Sequence, residues 1–172
     1  MPAINQARGR DMKMMTGLGI LAGLALGGGA ASATTTTSTF GVTMLITAQC
    51  LINSTATLDL GSSGVINANH DANTPLHIQC TNTTPYTIGL DAGTTTGATV
   101  AQRLLVNGAA TVNYNLYTAS NYTTIWGNAG GALVNSTGNG ADQLFTIYGR
   151  VPAQTTPAPG TYTDTVTVTV TY

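Results

Sequence analysis

The side chains able to do chemistry are few. Beyond residue 33 the chain holds His70 and His77, five aspartates (Asp59, Asp71, Asp91, Asp142, Asp164), Arg103, Arg150, Cys50 and Cys80, and neither lysine nor glutamate. Acid–base or nucleophilic catalysis needs such groups brought together in defined geometry, and none of the spacings here supplies it. His70 precedes Asp71, but neighbours in an extended chain point to opposite faces. Gly61-Ser62-Ser63-Gly64 lacks the G-x-S-x-G spacing of a nucleophile elbow. Asn67, Asn69, Asp71 and Asn73 place an oxygen-bearing side chain at every second position. A calcium loop, however, needs glycine sixth and an acid twelfth, where Ala72 and Ile78 stand. That run reads as a solvated turn and His77 as a surface strand residue. The expectation is a protein that is not an enzyme and holds no metal or cofactor.

Charge is distributed as unevenly as it is scarce. Arg8, Arg10 and Lys13 stand at the front, followed by a glycine-punctuated apolar run from Met14 to Gly29 and by Ala31-Ser32-Ala33. A charged start, an apolar middle and a small-residue end make a secretory signal peptide, residues 1–33, cleaved after about Ala33. A membrane span over Met14 to Ala33 is the alternative that length permits, but its glycines and small-residue end suit processing better. Residues 34–172 then carry two Arg against five Asp. So little basic charge for phosphates argues against nucleic acid and anionic membrane surfaces as partners.

Threonine takes the place of charge, with 32 in the 139 residues from 34 to 172. A β-branched residue with a hydroxyl suits strands that have one wet face. Cys50 and Cys80 are the sole cysteines, and an even count in an exported chain reads first as a disulfide. On the chain-entropy model such a loop contributes about 3 to 4.7 kcal/mol. A metal or redox pair is the alternative, without a CxxC or further ligands to support it. Trp126, beside Gly127, reads as a packed sandwich aromatic rather than a sugar-stacking platform. Four N-x-S/T triplets, at Asn53, Asn82, Asn121 and Asn135, match glycan acceptors, as chance predicts in so threonine-rich a chain.

Period-2 alternation recurs almost throughout. Phe40, Val42, Met44, Ile46, Ala48 and Cys50 share one parity; Leu58 and Leu60, then Leu76, Ile78 and Cys80, then Tyr86, Ile88 and Leu90 mark further strands. Val112, Tyr114 and Leu116 follow, then the denser run Leu144 to Val151. After the loop Pro152 to Gly160, Tyr162, Val166, Val168, Val170 and Tyr172 alternate with threonines to the last residue. About seven short strands in one domain predict an all-β, immunoglobulin-like sandwich. An apolar strand at the terminus is an edge liability unless something pairs with it.

Several segments carry a family resemblance: Tyr114-Asn115-Leu116-Tyr117, Trp126-Gly127, Tyr148-Gly149-Arg150-Val151-Pro152, and Pro159-Gly160-Thr161-Tyr162-Thr163-Asp164 running into the final Val/Thr strand. In order and spacing the chain resembles the spore coat protein U domain family, which includes subunits of archaic chaperone–usher pili such as the Csu pilus. Cys50 and Cys80 match that family's early disulfide, and the resemblance covers residues 34–172, most strongly 86–172.

The resemblance implies an immunoglobulin-like sandwich lacking its final strand. A periplasmic chaperone fills the gap first; at the outer-membrane usher, the N-terminal extension of a neighbouring pilin subunit replaces it, by strand addition. On that reading residues 34–46 are the donor extension, with Phe40, Val42, Met44 and Ile46 as donor side chains, and 47–172 are the pilin domain. Val166, Val168, Val170 and Tyr172 then line the acceptor groove. A segment 40–46 that is the domain's own first strand is the alternative. The implied function is structural: a surface pilus subunit exported through the periplasm, supporting adhesion and biofilm formation. The other readings are a secreted spore-coat component of the same fold and a carbohydrate-binding module using Trp126 and tyrosines.

Overall fold

The computed structural model describes residues 32–172; the expected signal peptide, and with it the alternative membrane span, fall almost wholly outside that range. Residues 32–42 are the described part of one unit, and Thr43–Tyr172 form another. In residues 32–42 no regular element forms and the side chains are exposed.

The second unit is all-β. Eight strands are present among the described residues: β1 (Cys50–Thr55), β2 (His70–Cys80), β3 (Pro85–Leu90), β4 (Arg103–Asn107), β5 (Ala110–Tyr117), β6 (Val134–Thr137), β7 (Asp142–Val151) and β8 (Val168–Thr171). They make two antiparallel sheets, one in the order β1-β2-β7-β5-β4 and one in the order β6-β3-β8. Alternation sets the inner faces. Leu76, Ile78 and Cys80 from β2, Tyr86, Ile88 and Leu90 from β3, and Val112, Tyr114 and Leu116 from β5 are all buried, as the period-2 pattern predicts. In β7 the facing that pattern leaves open is decided by packing, with Ile147 and Val151 buried and Leu144 facing solvent.

Cys50 and Cys80 stand directly opposite each other in the β1–β2 ladder and are joined by a disulfide. Trp126 is buried, and its indole N–H donates to the Ile88 carbonyl at 3.0 Å.

Four expectations are corrected. The alternating segment from Phe40 to Cys50 forms no strand before Cys50, and Leu58 and Leu60 lie in an irregular stretch. A ladder needs a partner's N–H and C=O groups as well as alternation. The terminal strand is shorter than its alternation, since β3 ends at Leu90 and pairs only with Val168–Thr171; upstream, Thr163 makes an isolated bridge to Val106. Of the run expected to be a solvated turn, His70 to Asn73 belong to β2, where Asp71 opposes Arg150 of β7. Two strands were not legible, β4 and β6, because neither Arg103–Asn107 nor Val134–Thr137 alternates.

Candidate functional site

The site is built around the last strand. Thr167 accepts a hydrogen bond from the Asp91 amide at 3.1 Å and gives its own N–H to the Asp91 carboxylate at 2.9 Å. Backbone groups in an antiparallel pair alternate in direction, so those of Thr167, Thr169 and Thr171 face β3, and those of Val166, Val168 and Val170 face the open edge. Among the described residues no chain segment hydrogen-bonds to the amides of these three valines. Their side chains pack on the core yet are only half-buried. One set of residues therefore offers both an unpaired polar edge and an unfinished apolar row. Tyr172, the last member of the parity, is 59% exposed.

A second wall faces open space in the same way. Leu58 and Leu60 pack on the core without joining a strand. Gly149 on β7 permits this, because a Cβ there would collide with the Leu58 side chain. Between residues 57–64 and 156–164 a cleft of about 810 Å³ opens, floored by Leu105, Val112 and Val151. Its outer wall is held in several places. Thr163 exchanges backbone hydrogen bonds with Val106 at 2.9 and 3.1 Å, the Tyr162 hydroxyl donates to the Ala158 carbonyl at 2.7 Å, and Gly160 lies where a side chain would strike Asn107.

The donor candidates are placed differently. Phe40, Val42, Met44 and Ile46 are 70 to 87% exposed. Adjacent Leu45, of opposite parity, is also exposed, so exposure alone does not select the parity.

Sequence reasoning missed the group that fixes the sandwich beside this groove. Arg103 is fully buried, and all its donors are used: Nε to the Asp91 carbonyl at 2.8 Å, Nη1 to the Val100 carbonyl and to Asn115 Oδ1 at 3.3 and 2.7 Å, and Nη2 to the carbonyls of Leu90 and Trp126 at 3.0 and 2.8 Å. Burial pulls the guanidinium below its usual range, opposed by nearby Tyr114, Asp91 and Asp164. The Tyr114 hydroxyl donates to Asp164 at 2.7 Å, and burial together with that bond pushes its titration well above the ordinary tyrosine range. The segments Tyr114-Asn115-Leu116 and Trp126-Gly127 thus meet in one interior network that ties β3 to β4 and β5.

The remaining ionisable groups sit on the outside. Arg150 grips Asp71 through two hydrogen bonds of 2.6 and 2.7 Å, which hold the Asp71 carboxyl below its ordinary range. His77 contacts Asp142 at 2.5 Å, and Asn53 donates to the same carboxylate at 2.7 Å. No group of three or more His, Cys, Asp or Glu is placed to hold a metal among the described residues.

Comparison with known proteins agrees with this architecture. The family model described as Spore Coat Protein U domain matches residues 36–169. Protein U of Myxococcus xanthus is 31% identical over 128 residues, covering 71% of this chain and 66% of that protein, so the chain spans just under two thirds of that relative's length. A crystal structure of the CsuC–CsuE chaperone–tip adhesion subunit pre-assembly complex, from archaic chaperone–usher Csu pili of Acinetobacter baumannii, is similar in fold. Its TM-score is 0.55 at 22% identity, over 74% of this chain and 40% of that one.

Proposed function

The chain belongs to the Spore Coat Protein U domain family, and on that footing we propose that it is a structural subunit of a chaperone–usher surface pilus, polymerising by donor-strand exchange. The observation that carries the proposal is the coincidence, in β8 and the residues just before it, of unpaired backbone groups with the half-buried side chains of Val166, Val168 and Val170. An incoming strand would satisfy both at once, hydrogen-bonding along the open edge and burying alternate side chains beneath it. Phe40, Val42, Met44 and Ile46 have the required parity and are exposed. Burying one such side chain contributes about 1.5–3 kcal/mol, so three or four per junction hold a fibre without covalent links. A head-to-tail contact of this kind does not close on itself and yields an open filament.

The partners are those that the family resemblance implies. A periplasmic chaperone covers the groove before assembly, an outer-membrane usher catalyses the exchange, and neighbouring subunits supply the permanent strand. The fold likeness to a chaperone-bound pilus subunit supports the first of these. Such a route delivers the subunit through the periplasm to the cell surface, where the pilus serves adhesion and biofilm formation.

Substitution Val42→Asp tests the donor assignment. Co-expressed with chaperone, the variant is expected to remain folded, disulfide-bonded and chaperone-bound while forming no polymer. Unfolding even with chaperone present would place 40–46 in the domain's own core and defeat the assignment. The match to Protein U favours a second reading, a secreted coat-layer component of the same fold. Electron microscopy of sheared surface material, with and without this gene, separates the two: gene-dependent filaments support the pilus, and a gene-dependent layer without filaments supports the coat.

A further inference from the structure

We propose that the outward face of the five-stranded sheet carries a saccharide-binding site built on Tyr117, Tyr122 and Tyr148, with a neutral hexose-based glycan as its ligand. Tyr117 of β5 and Tyr148 of β7 are cross-strand partners, and Asn73 of β2 stands beside Tyr148 in register. All three point away from the core, since Leu116, Ile147 and Thr74, next to them in sequence, are buried. Tyr122, from the loop after β5, meets both rings edge-on, with centroids 5.5 Å from Tyr117 and 6.3 Å from Tyr148.

Three observations separate this cluster from ordinary packing. Tyr122 has φ of +56°, in the left-handed region that a bulky residue rarely occupies, and such outliers concentrate at functional sites. Its ring is clamped by the Arg150 guanidinium, 3.8 Å from the centroid, itself pinned by Asp71. The backbone strain therefore goes into fixing one aromatic side chain. Hydroxyl usage is the third. Tyr86, Tyr114 and Tyr162 each hydrogen-bond within the chain, to Gln143, Asp164 and the Ala158 carbonyl, whereas Tyr117, Tyr122 and Tyr148 make no such bond among the described residues, and neither does the exposed Asn73 amide.

These features select the ligand class. β2, β7 and β5 are interior strands, so their backbone groups are already paired and cannot capture another strand; recognition must come from side chains. Arg150 and Asp71 neutralise each other, which leaves an uncharged surface unsuited to an anionic ligand. What remains is a set of rigid phenol rings with free hydroxyls beside a free amide, amphipathic contact area presented at low entropic cost. A neutral hexose matches it, laying C–H faces on the rings and exchanging hydroxyl hydrogen bonds with the phenols and Asn73. Trp126, the aromatic first suggested for such a role, is buried and takes no part.

Isothermal titration of the full disulfide-bonded chain with maltohexaose, cellohexaose and mannohexaose tests the site, with dextran sulfate and a proline-rich decapeptide as contrasts. At least one neutral hexaose is expected to bind, and Tyr148→Ala and Tyr122→Gly should each weaken it about tenfold. Glycine accepts the positive φ, so Tyr122→Gly should keep the wild-type fold, checked by an unchanged far-ultraviolet circular dichroism spectrum. Should Tyr148→Ala fail to fold, Asn73→Ala, at an exposed position, replaces it with the same expected direction. The proposal is overturned if none of the three hexaoses binds, if binding survives the substitutions, or if only the sulfated polymer or the peptide binds. None of these outcomes touches the groove, whose failure is read separately through Val42→Asp polymerisation.

Discussion

Among the described residues Arg103 has no acidic partner within salt-bridge distance, yet it is fully buried. Burying a cation is costly unless its donors are satisfied, and here five bonds to neutral oxygens accept them. Removing the guanidinium strands the carbonyls of Leu90, Asp91 and Trp126 and leaves Asn115 Oδ1 with the Leu116 amide alone. The substitution Arg103→Met is therefore expected to cost about 3–5 kcal/mol despite its similar reach, measured as a lower urea midpoint with unchanged slope. Lysine would not rescue it, because an ammonium cannot reproduce the planar fork that spans these oxygens. A neutral urea midpoint for Arg103→Met would show that the network is incidental. Nothing in the sequence marks this arginine: Gln102-Arg103-Leu104 resembles any exposed turn into a strand.

At the scale of elements, β1 is an irregular edge of the large sheet. β1 lies at an edge, its register shifts between Ile52 and Ser54, and Leu51 and Ile52 are substantially exposed. The Cys50–Cys80 disulfide closes the loop that returns from this edge, a separation of 30 residues. On the chain-entropy model that closure stabilises the fold by about 3–4 kcal/mol. Replacing both cysteines with serine should therefore lower stability by that order and expose β1 first, visible as early loss of hydrogen-exchange protection over Cys50–Thr55. Uniform loss across both sheets would mean that the bridge supports the whole domain and not this edge.

For the whole molecule, the central property is incompleteness. The three-stranded sheet ends at β8 with its valines half-buried, so stability should depend on what fills the groove. A full-length Val42→Asp chain, which on the proposed function does not polymerise, serves as acceptor. A peptide spanning residues 34–46, added at about 100 times its dissociation constant, would stabilise the acceptor by ~2.7 kcal/mol and raise its melting temperature by roughly 5 °C or more. The same peptide with Asp at position 42 should leave it unchanged. If both peptides act alike, or neither acts, the groove does not accept this segment.

Legibility from sequence followed the physics of each feature. The core rows of β2, β3 and β5 were readable because burial on one face of a strand imposes period 2 on the residue types themselves. The cysteine pair was readable because two cysteines in an exported chain have few other uses. β4 and β6 escaped because they are short and their residue types, Arg-Leu-Leu-Val-Asn and Val-Asn-Ser-Thr, do not alternate between apolar and polar. The outward tyrosine cluster escaped because Tyr117, Tyr122 and Tyr148 come from separate parts of the chain.

The sequence by itself determined an all-β, nearly uncharged chain with a disulfide and an alternating segment near each end, because composition and parity are local properties. Tertiary structure alone decided which alternation becomes a strand, since that requires a neighbour's hydrogen-bonding edge. It decided that Val168–Thr171 has such a neighbour on one side and that residues 32–49 form no strand. It also decided that Arg103 is interior, because a buried cation is tolerable only where several chain segments converge their carbonyl oxygens on one point.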